Sequence, residues 1–98
     1  MKRRTFVRPE AQHDLREAAQ WYEEREVGLG NRFLREVRAT LERIADDRLT
    51  FPIIEQDVRR ALLHKFPYSI YFVSEPEAVS VIAVLHQHRP PGTWKSRR

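Results

Sequence analysis

Three of the 4 His residues lie in the second half of this 98-residue sequence, near basic residues that could act with them in chemistry. Attack by a ribose 2′-hydroxyl on the adjacent phosphate needs a base, an acid and cations for the developing charge, but no metal. The candidates for these roles are Arg59, Arg60, His64, Lys65, His86, His88 and Arg89. Neighbours on a strand face opposite sides, so at most one of Arg59 and Arg60 reaches a given site. The ingredients of a metal-free ribonuclease are present without a specific motif.

Other catalytic and ligand-binding patterns find little support in the sequence. It has no Cys, which excludes disulfides and Cys-ligated metals. His86 and His88 share a face of a predicted strand, but no third ligand stands near them in sequence. With only 3 Gly, the chain offers no phosphate-binding loop. We therefore expect neither a metal site nor a cofactor.

The net charge of +4 is unevenly distributed along the chain. Residues 1–8 carry +4, residues 9–57 carry −5 and residues 58–98 carry +5. Basic ends favour an anionic partner, although ordinary surface charge explains the same distribution. No apolar run follows the basic start as in a signal peptide, and none is long enough to span a bilayer. We expect a soluble cytoplasmic protein without membrane contact.

Apolar spacing predicts the elements that must position these side chains. The predicted elements are a strand over 4–8 with Phe6 inward, helices over 9–26 and 29–46, and strands over 58–66, 68–74 and 78–88. The glycines at 28 and 30 make the helices an antiparallel hairpin. Residues 47–56 are predicted as a loop. Residues 89–98 are predicted as an irregular basic tail of one domain spanning 1–98.

The last two predicted strands carry apolar residues on both faces. In the first of them, Ile70 and Phe72 alternate with Tyr71 and Val73. In the second, one face is predicted to hold Val79, Val81, Ala83 and Leu85, and the other Ile82 and Val84. Such strands belong in the middle of a sheet, and connections this short require antiparallel neighbours. The fold class is α+β: an N-terminal strand, a helical hairpin, and three antiparallel strands in a sheet packed against the helices.

Several segments in a fixed order point to a known family. They are 11–15 (AQHDL), 18–23 (AAQWYE), 28–30 (GLG), 32–34 (RFL), 51–52 (FP), 66–72 (FPYSIYF) and 81–86 (VIAVLH), with Val37, Arg60, Leu62, Leu63 and Arg89 between or after them. Over about residues 5–94, this series resembles the RelE/ParE toxins of bacterial type II toxin–antitoxin modules. The WYE and FPY segments are closer to the ParE branch. The resemblance implies a curved antiparallel sheet with two helices, in agreement with the apolar spacing.

ParE-like toxins inhibit DNA gyrase by binding, without catalysis, and support plasmid stabilization. The resemblance therefore implies a gyrase-binding toxin that a cognate antitoxin neutralises in a toxin–antitoxin hetero-oligomer. The candidates for target binding are Arg59, Arg60, His86, His88, Arg89 and Trp94. The candidates for antitoxin binding are Leu15, Trp21, Tyr22, Phe33 and Val37. All of the latter except Trp21 also fit the toxin's own core.

Two alternatives stay open at this point. A RelE-like toxin would cleave mRNA on the ribosome, and the matching catalytic residues are Arg60, Lys65, His86 and Arg89. The late Tyr of that branch is absent, and Trp94 is the only aromatic residue in the last segment. The other alternative is a non-toxic binding module that acts with the antitoxin as a co-repressor.

Overall fold

The computed structural model describes residues 3–90 and 92–97, and in these ranges the chain forms five strands and three helices. In chain order they are β1 (Arg4–Val7), α1 (Pro9–Arg25), α2 (Leu29–Asp47), β2 (Ile53–Glu55), β3 (Val58–Leu62), β4 (Tyr68–Ser74), β5 (Ala78–His86) and α3 (Gly92–Lys95). A 3₁₀ turn over Arg48–Thr50 joins α2 to β2. The predicted α+β fold class is confirmed.

The strands form one sheet in the order β1-β5-β4-β3-β2. Strands β2 to β5 are antiparallel neighbours, as their short connections require. Strand β1 is parallel to β5, with which it pairs from Arg4 opposite Ala78 to Val7 opposite Val81. The longest strand, β5, is therefore internal: it pairs with β1 on one side and with β4 on the other.

Local chemistry sets the ends of both long helices. Pro9 stands in the first turn of α1, where its missing N–H costs no hydrogen bond. Gly28 has a φ of 90°, a left-handed conformation that glycine adopts without strain, and it turns the chain into α2. The Glu23 carboxylate accepts the Gly28 N–H at 2.8 Å and the Gly30 N–H at 3.0 Å. The end of α1 thereby caps the start of α2 and fixes the hairpin.

The helices cover one side of the sheet, here called the front face. Its buried core is Ala11, Ala18, Tyr22, Phe33, Val37, Ile44, Ala61, Leu63, Ile70, Phe72, Val79, Val81 and Val84. The rings of Tyr22, Phe33, Phe66 and Tyr68 meet here, with centroid separations of 4.9 to 6.0 Å. The predicted apolar stripes of α1 and α2 supply most of this cover.

Residues 92–97, here called the strap, lie over the opposite or back face. Trp94 is 5% exposed and stacks on Tyr71 with ring centroids 5.5 Å apart. The buried back-face core is Val58, Tyr71, Ile82, Ala83, Leu85 and Trp94. The prediction of an irregular tail is wrong over Gly92–Lys95, where one turn of helix places the Trp94 ring against the sheet.

The predicted faces of β5 are wrong in its second half. A register shift between Tyr71 and Phe72 of β4 leaves Ile82 as an extra residue, opposite no residue of β4. This bulge reverses the alternation, since two residues of β5 face one residue of its partner. Ala83 and Leu85 therefore join Ile82 in the back core, and Val84 joins Val79 and Val81 in the front core.

Smaller differences concern the edges of the sheet. The predicted loop 47–56 contains the edge strand β2, and β3 and β5 end at Leu62 and His86, before the predicted ends at 66 and 88. Phe6 was expected to point inward, but it is exposed and Val7 packs on the front core instead. Arg4 covers part of the Phe6 ring at 5.3 Å. Among the described residues, no helix combines the length and apolar character that crossing a membrane requires.

Candidate functional site

A groove of about 840 Å³ lies between α1 and the far end of β5. It is lined by Asp14, Glu17, Ala18, Gln20, Trp21, Tyr22, Glu24, Pro67, Tyr68, Val84, Leu85, His86 and Arg89. Strand β1 pairs with β5 only as far as Val81. Past that point the Asp14 carboxylate, not a strand, accepts the Val84 N–H at 3.0 Å. The groove is thus an open cleft beside a partly unpaired strand.

The two walls of the groove differ in charge. The α1 wall carries the acids Asp14, Glu17 and Glu24, and the opposite wall carries His86 and Arg89. Helix spacing places Glu17, Trp21 and Glu24 along one side of α1, since residues three and four apart are neighbours. A ligand with basic groups on one side and acidic groups on the other would match both walls.

Trp21 is the large apolar side chain that the groove leaves open, and it is 48% exposed. Its ring is held on two sides: the Arg25 guanidinium lies 3.7 Å above it, and Tyr22 meets it edge-on with centroids 5.1 Å apart. A large ring that is exposed but fixed in place loses little side-chain entropy on binding. Trp21 is therefore suited to anchor a protein partner.

Two tyrosines form the aromatic floor of the groove. Burial raises the pKa of Tyr22, and the neighbouring Tyr68 raises it further. Burial is also the largest influence on Tyr68 and raises its pKa, with Arg89 lowering it and Glu17 and Asp14 raising it. Both phenols are therefore neutral at physiological pH, which leaves the floor uncharged between the two charged walls.

The target-binding candidates do not form one surface. His86 and His88 are close, with ring centroids 5.2 Å apart, and Arg89 shares the groove with His86. Arg59 pairs with Phe72 of the front core and donates to the carbonyls of Leu49 and Phe51 at 3.4 and 2.6 Å. Arg60 pairs with Tyr71, on the back face. Trp94 is buried in the back core, away from the other candidates, and its assignment as a target contact stays a prediction.

The nuclease candidates are also distributed over different parts of the fold. Arg60 lies on the back face, whereas His86 pairs with Tyr68, which packs against the front core. Lys65 lies in the β3–β4 loop, where its N–H donates to the Glu36 carboxylate at 3.1 Å. Among the described residues, no group of three or more His, Asp or Glu side chains is placed to hold a metal ion.

The antitoxin-binding candidates divide between groove and core. Trp21 and Tyr22 line the groove, and Leu15 is half-buried beside the front core. Phe33 and Val37 are 0% and 3% exposed and belong to the front core, so their assignment to antitoxin binding stays a prediction. Their side of α2 faces the sheet and is fully used in folding. Sequence reasoning missed Asp14, although an acid within the apolar stripe of Ala11, Leu15 and Ala18 was a visible signal.

The chain belongs to the ParE family: the model described as "ParE toxin of type II toxin-antitoxin system, parDE" matches residues 6–91. The expected closeness to the ParE branch is thereby confirmed. Among solved structures, a chain of the chromosomal ParDE TA system from P. aeruginosa is similar in fold. Its TM-score is 0.74 at 13% sequence identity, over 87% of this chain and 96% of that chain. No curated protein matches the sequence.

Proposed function

We propose that this toxin inhibits DNA gyrase by binding it, without catalysis, and that a cognate antitoxin neutralises it by occupying the groove. The ParE family membership supports gyrase as the target and the cytoplasm, where gyrase acts, as the location. The observation that carries the non-enzymatic part is the separation of Arg60 from His86 by the thickness of the sheet.

Metal-free RNA cleavage requires the base, the acid and the cation to surround one phosphate within hydrogen-bond reach. Arg60 and His86 lie on opposite faces, and Lys65 is in a loop beside α2. His86 and Arg89 remain together, but both stand opposite an acidic wall that disfavours a polyanion. The geometry therefore favours a binding protein over a ribonuclease.

The antitoxin's place in the groove is supported by the groove's size, anchor and charge. The cleft is open along α1 rather than enclosed, which suits a peptide segment laid in the groove. The exposed Trp21 ring offers a central anchor of the type that dominates interface energies. An antitoxin segment that folds on binding would lay an apolar face on Trp21 and Tyr68. The solved chain of similar fold comes from a ParDE TA system.

The test is a supercoiling assay with purified gyrase and relaxed plasmid, run with increasing amounts of the toxin. We expect supercoiling to be lost at excess toxin and restored when antitoxin is added. Messenger RNA is followed in parallel in cells that express the toxin alone, and we expect it to stay intact. Unchanged supercoiling at excess toxin would refute the gyrase proposal. Cleaved mRNA with normal supercoiling would favour the endonuclease instead, and harmless expression without an antitoxin would favour the non-toxic co-repressor.

A further inference from the structure

Asp14 is a buried acid on the groove wall whose carboxylate is fully engaged. One oxygen, Oδ2, accepts the Val84 N–H at 3.0 Å and a hydrogen bond from Arg97 Nη1. The other, Oδ1, accepts from Arg97 Nη2 at 3.2 Å. The Asp14 side chain is 6% exposed and the Arg97 side chain 19% exposed. This two-pronged, shielded pair is stronger and more directional than an exposed ion pair.

Arg97 reaches this carboxylate from the strap on the other side of β5. Its Nη1 also donates to the Ile82 carbonyl at 3.4 Å, beside the bulge. Its own carbonyl accepts from Arg8 Nη1 at 2.9 Å, and Arg8 Nε in turn donates to Ser80 Oγ at 2.9 Å. Both ends of Arg97 are therefore fixed, and its guanidinium passes around β5 from the back face to the groove.

We propose that Arg97 is a positioning residue for the groove. Acting through Asp14, it fixes α1 against the end of β5 and so sets the distance between the acidic and basic walls. The hydrogen bond to Asp14 is also the largest influence on the pKa of Arg97, which it raises. This inference rests on the proposed function in one respect: the groove is taken as the antitoxin site.

Arg97 can fix the position of α1 because a buried carboxylate without a partner costs free energy. If Arg97 is removed, the Asp14 carboxylate keeps only the Val84 N–H, and a buried acid in that state draws in water or moves toward it. Because Asp14 lies within α1, a shift of its carboxylate toward water loosens the contact between that helix and the end of β5. The Val84 N–H loses its acceptor in the same event.

The test compares Arg97→Gln with Lys95→Gln. Both variants remove one positive charge from the strap, but Lys95 pairs with the exposed Glu55 at 3.1 Å and does not line the groove. Amide hydrogen exchange is measured by NMR at Val84 and at Val81, which is buried in the same strand. We expect the Val84/Val81 rate ratio to rise about tenfold in Arg97→Gln, since local opening exposes Val84 alone, and to stay unchanged in Lys95→Gln.

Arg97→Lys and Asp14→Asn/Arg97→Gln complete the set. Lysine keeps the charge without the planar fork, so it should restore the ratio only in part. The double variant leaves no unpaired buried charge, and its amide oxygen can still accept the Val84 N–H. It should therefore fold even if Arg97→Gln does not, and it should raise the ratio less than Arg97→Gln does. If the Val84 and Val81 amides exchange faster by the same factor in Arg97→Gln, Arg97 only stabilises the fold and the inference is wrong. An unchanged exchange rate for both amides would also overturn the inference.

Affinity for the antitoxin that restores supercoiling separates this inference from the proposed function. We expect Arg97→Gln to bind it about tenfold more weakly than Lys95→Gln does. A raised exchange ratio with equal affinities would keep Arg97 as a positioning residue and remove the antitoxin from the groove. Unchanged exchange with normal neutralisation would overturn the positioning role and leave the proposed function intact.

Discussion

The two faces of the sheet are closed by very different amounts of chain. The front face is covered by α1 and α2, helices of 17 and 19 residues that contribute a row of apolar side chains. The back face is closed by the strap, residues 92–97, which contributes the Trp94 ring and the Arg97 ion pair. The front cover consists of many interlocking apolar side chains, so a truncation there disturbs the whole core. The back cover depends on two side chains, so single substitutions there should have local and separable effects.

The largest expected effect is on the front face, for Phe33→Ala. The Phe33 ring is fully buried, with the rings of Tyr22, Phe66 and Tyr68 5.2 to 5.4 Å away between centroids. Its truncation leaves a cavity and should lower the free energy of unfolding by about 3–5 kcal/mol in urea titrations. Leu34→Ala, at an exposed neighbouring position, should cost under about 1 kcal/mol. Similar losses for both variants would contradict this description of the front core.

The next effect compares the two tryptophans. Trp94→Ala uncovers Tyr71 and should lower stability by about 3 kcal/mol, at the low end for a buried ring because the short strap can detach. Trp21→Ala should lower stability by under about 1 kcal/mol but weaken antitoxin binding at least about tenfold, as expected of an exposed anchor. Urea titrations and binding isotherms measure the two quantities. If Trp21→Ala binds the antitoxin normally, Trp21 is not the anchor.

The smallest effect is a pH dependence that belongs to the front face. Folding raises the pKa of Tyr22 and Tyr68, mainly through burial, so the folded state favours the neutral phenols. The contribution of these two phenols to the free energy of unfolding is fully present below the unfolded pKa of about 10. It is lost as pH rises through the folded pKa. Between pH 9 and 10 we expect a loss of a few tenths of a kcal/mol for each tyrosine.

Urea titrations at pH 8, 9 and 10 measure this slope. The double variant Tyr22→Phe/Tyr68→Phe removes both phenols while keeping both rings in the aromatic cluster, so its stability should fall less steeply with pH. An identical slope for the two proteins would show that other groups titrate in this range and that burial of the two phenols does not matter for stability.

The front face could be predicted from the sequence because its signals are periodic. Helix spacing identified the stripes of α1 and α2, and β4 was predicted over the residues it occupies, Tyr68–Ser74. The back face could not be predicted in the same way. The bulge at Ile82 lies in a run of apolar residues, so a shift of one residue leaves no trace in composition. Trp94 stands near proline and glycine, where a buried turn of helix is not signalled.

The residues of the groove could be predicted only where local spacing identified them. Trp21 could be identified because it lies beside the apolar stripe of α1, not within it, and the structure leaves it exposed in the groove. Arg60 and His86 were grouped because both are basic residues on neighbouring segments. Their separation depends on strand register, which one sequence does not specify. The role of Arg97 depends on a contact across 83 positions and was not predictable from local spacing.

The Asp14–Arg97 pair has a consequence for the synthesis of the toxin. Translation completes α1 long before residue 97 leaves the ribosome, since 83 positions separate the two partners. Strand β1 likewise pairs with β5, which is translated much later. Contacts of such sequence separation form late and slowly, after their loop entropy has been overcome. A nascent chain therefore cannot form the Asp14–Arg97 pair before residue 97 has been made, and the groove takes its final shape only late in synthesis.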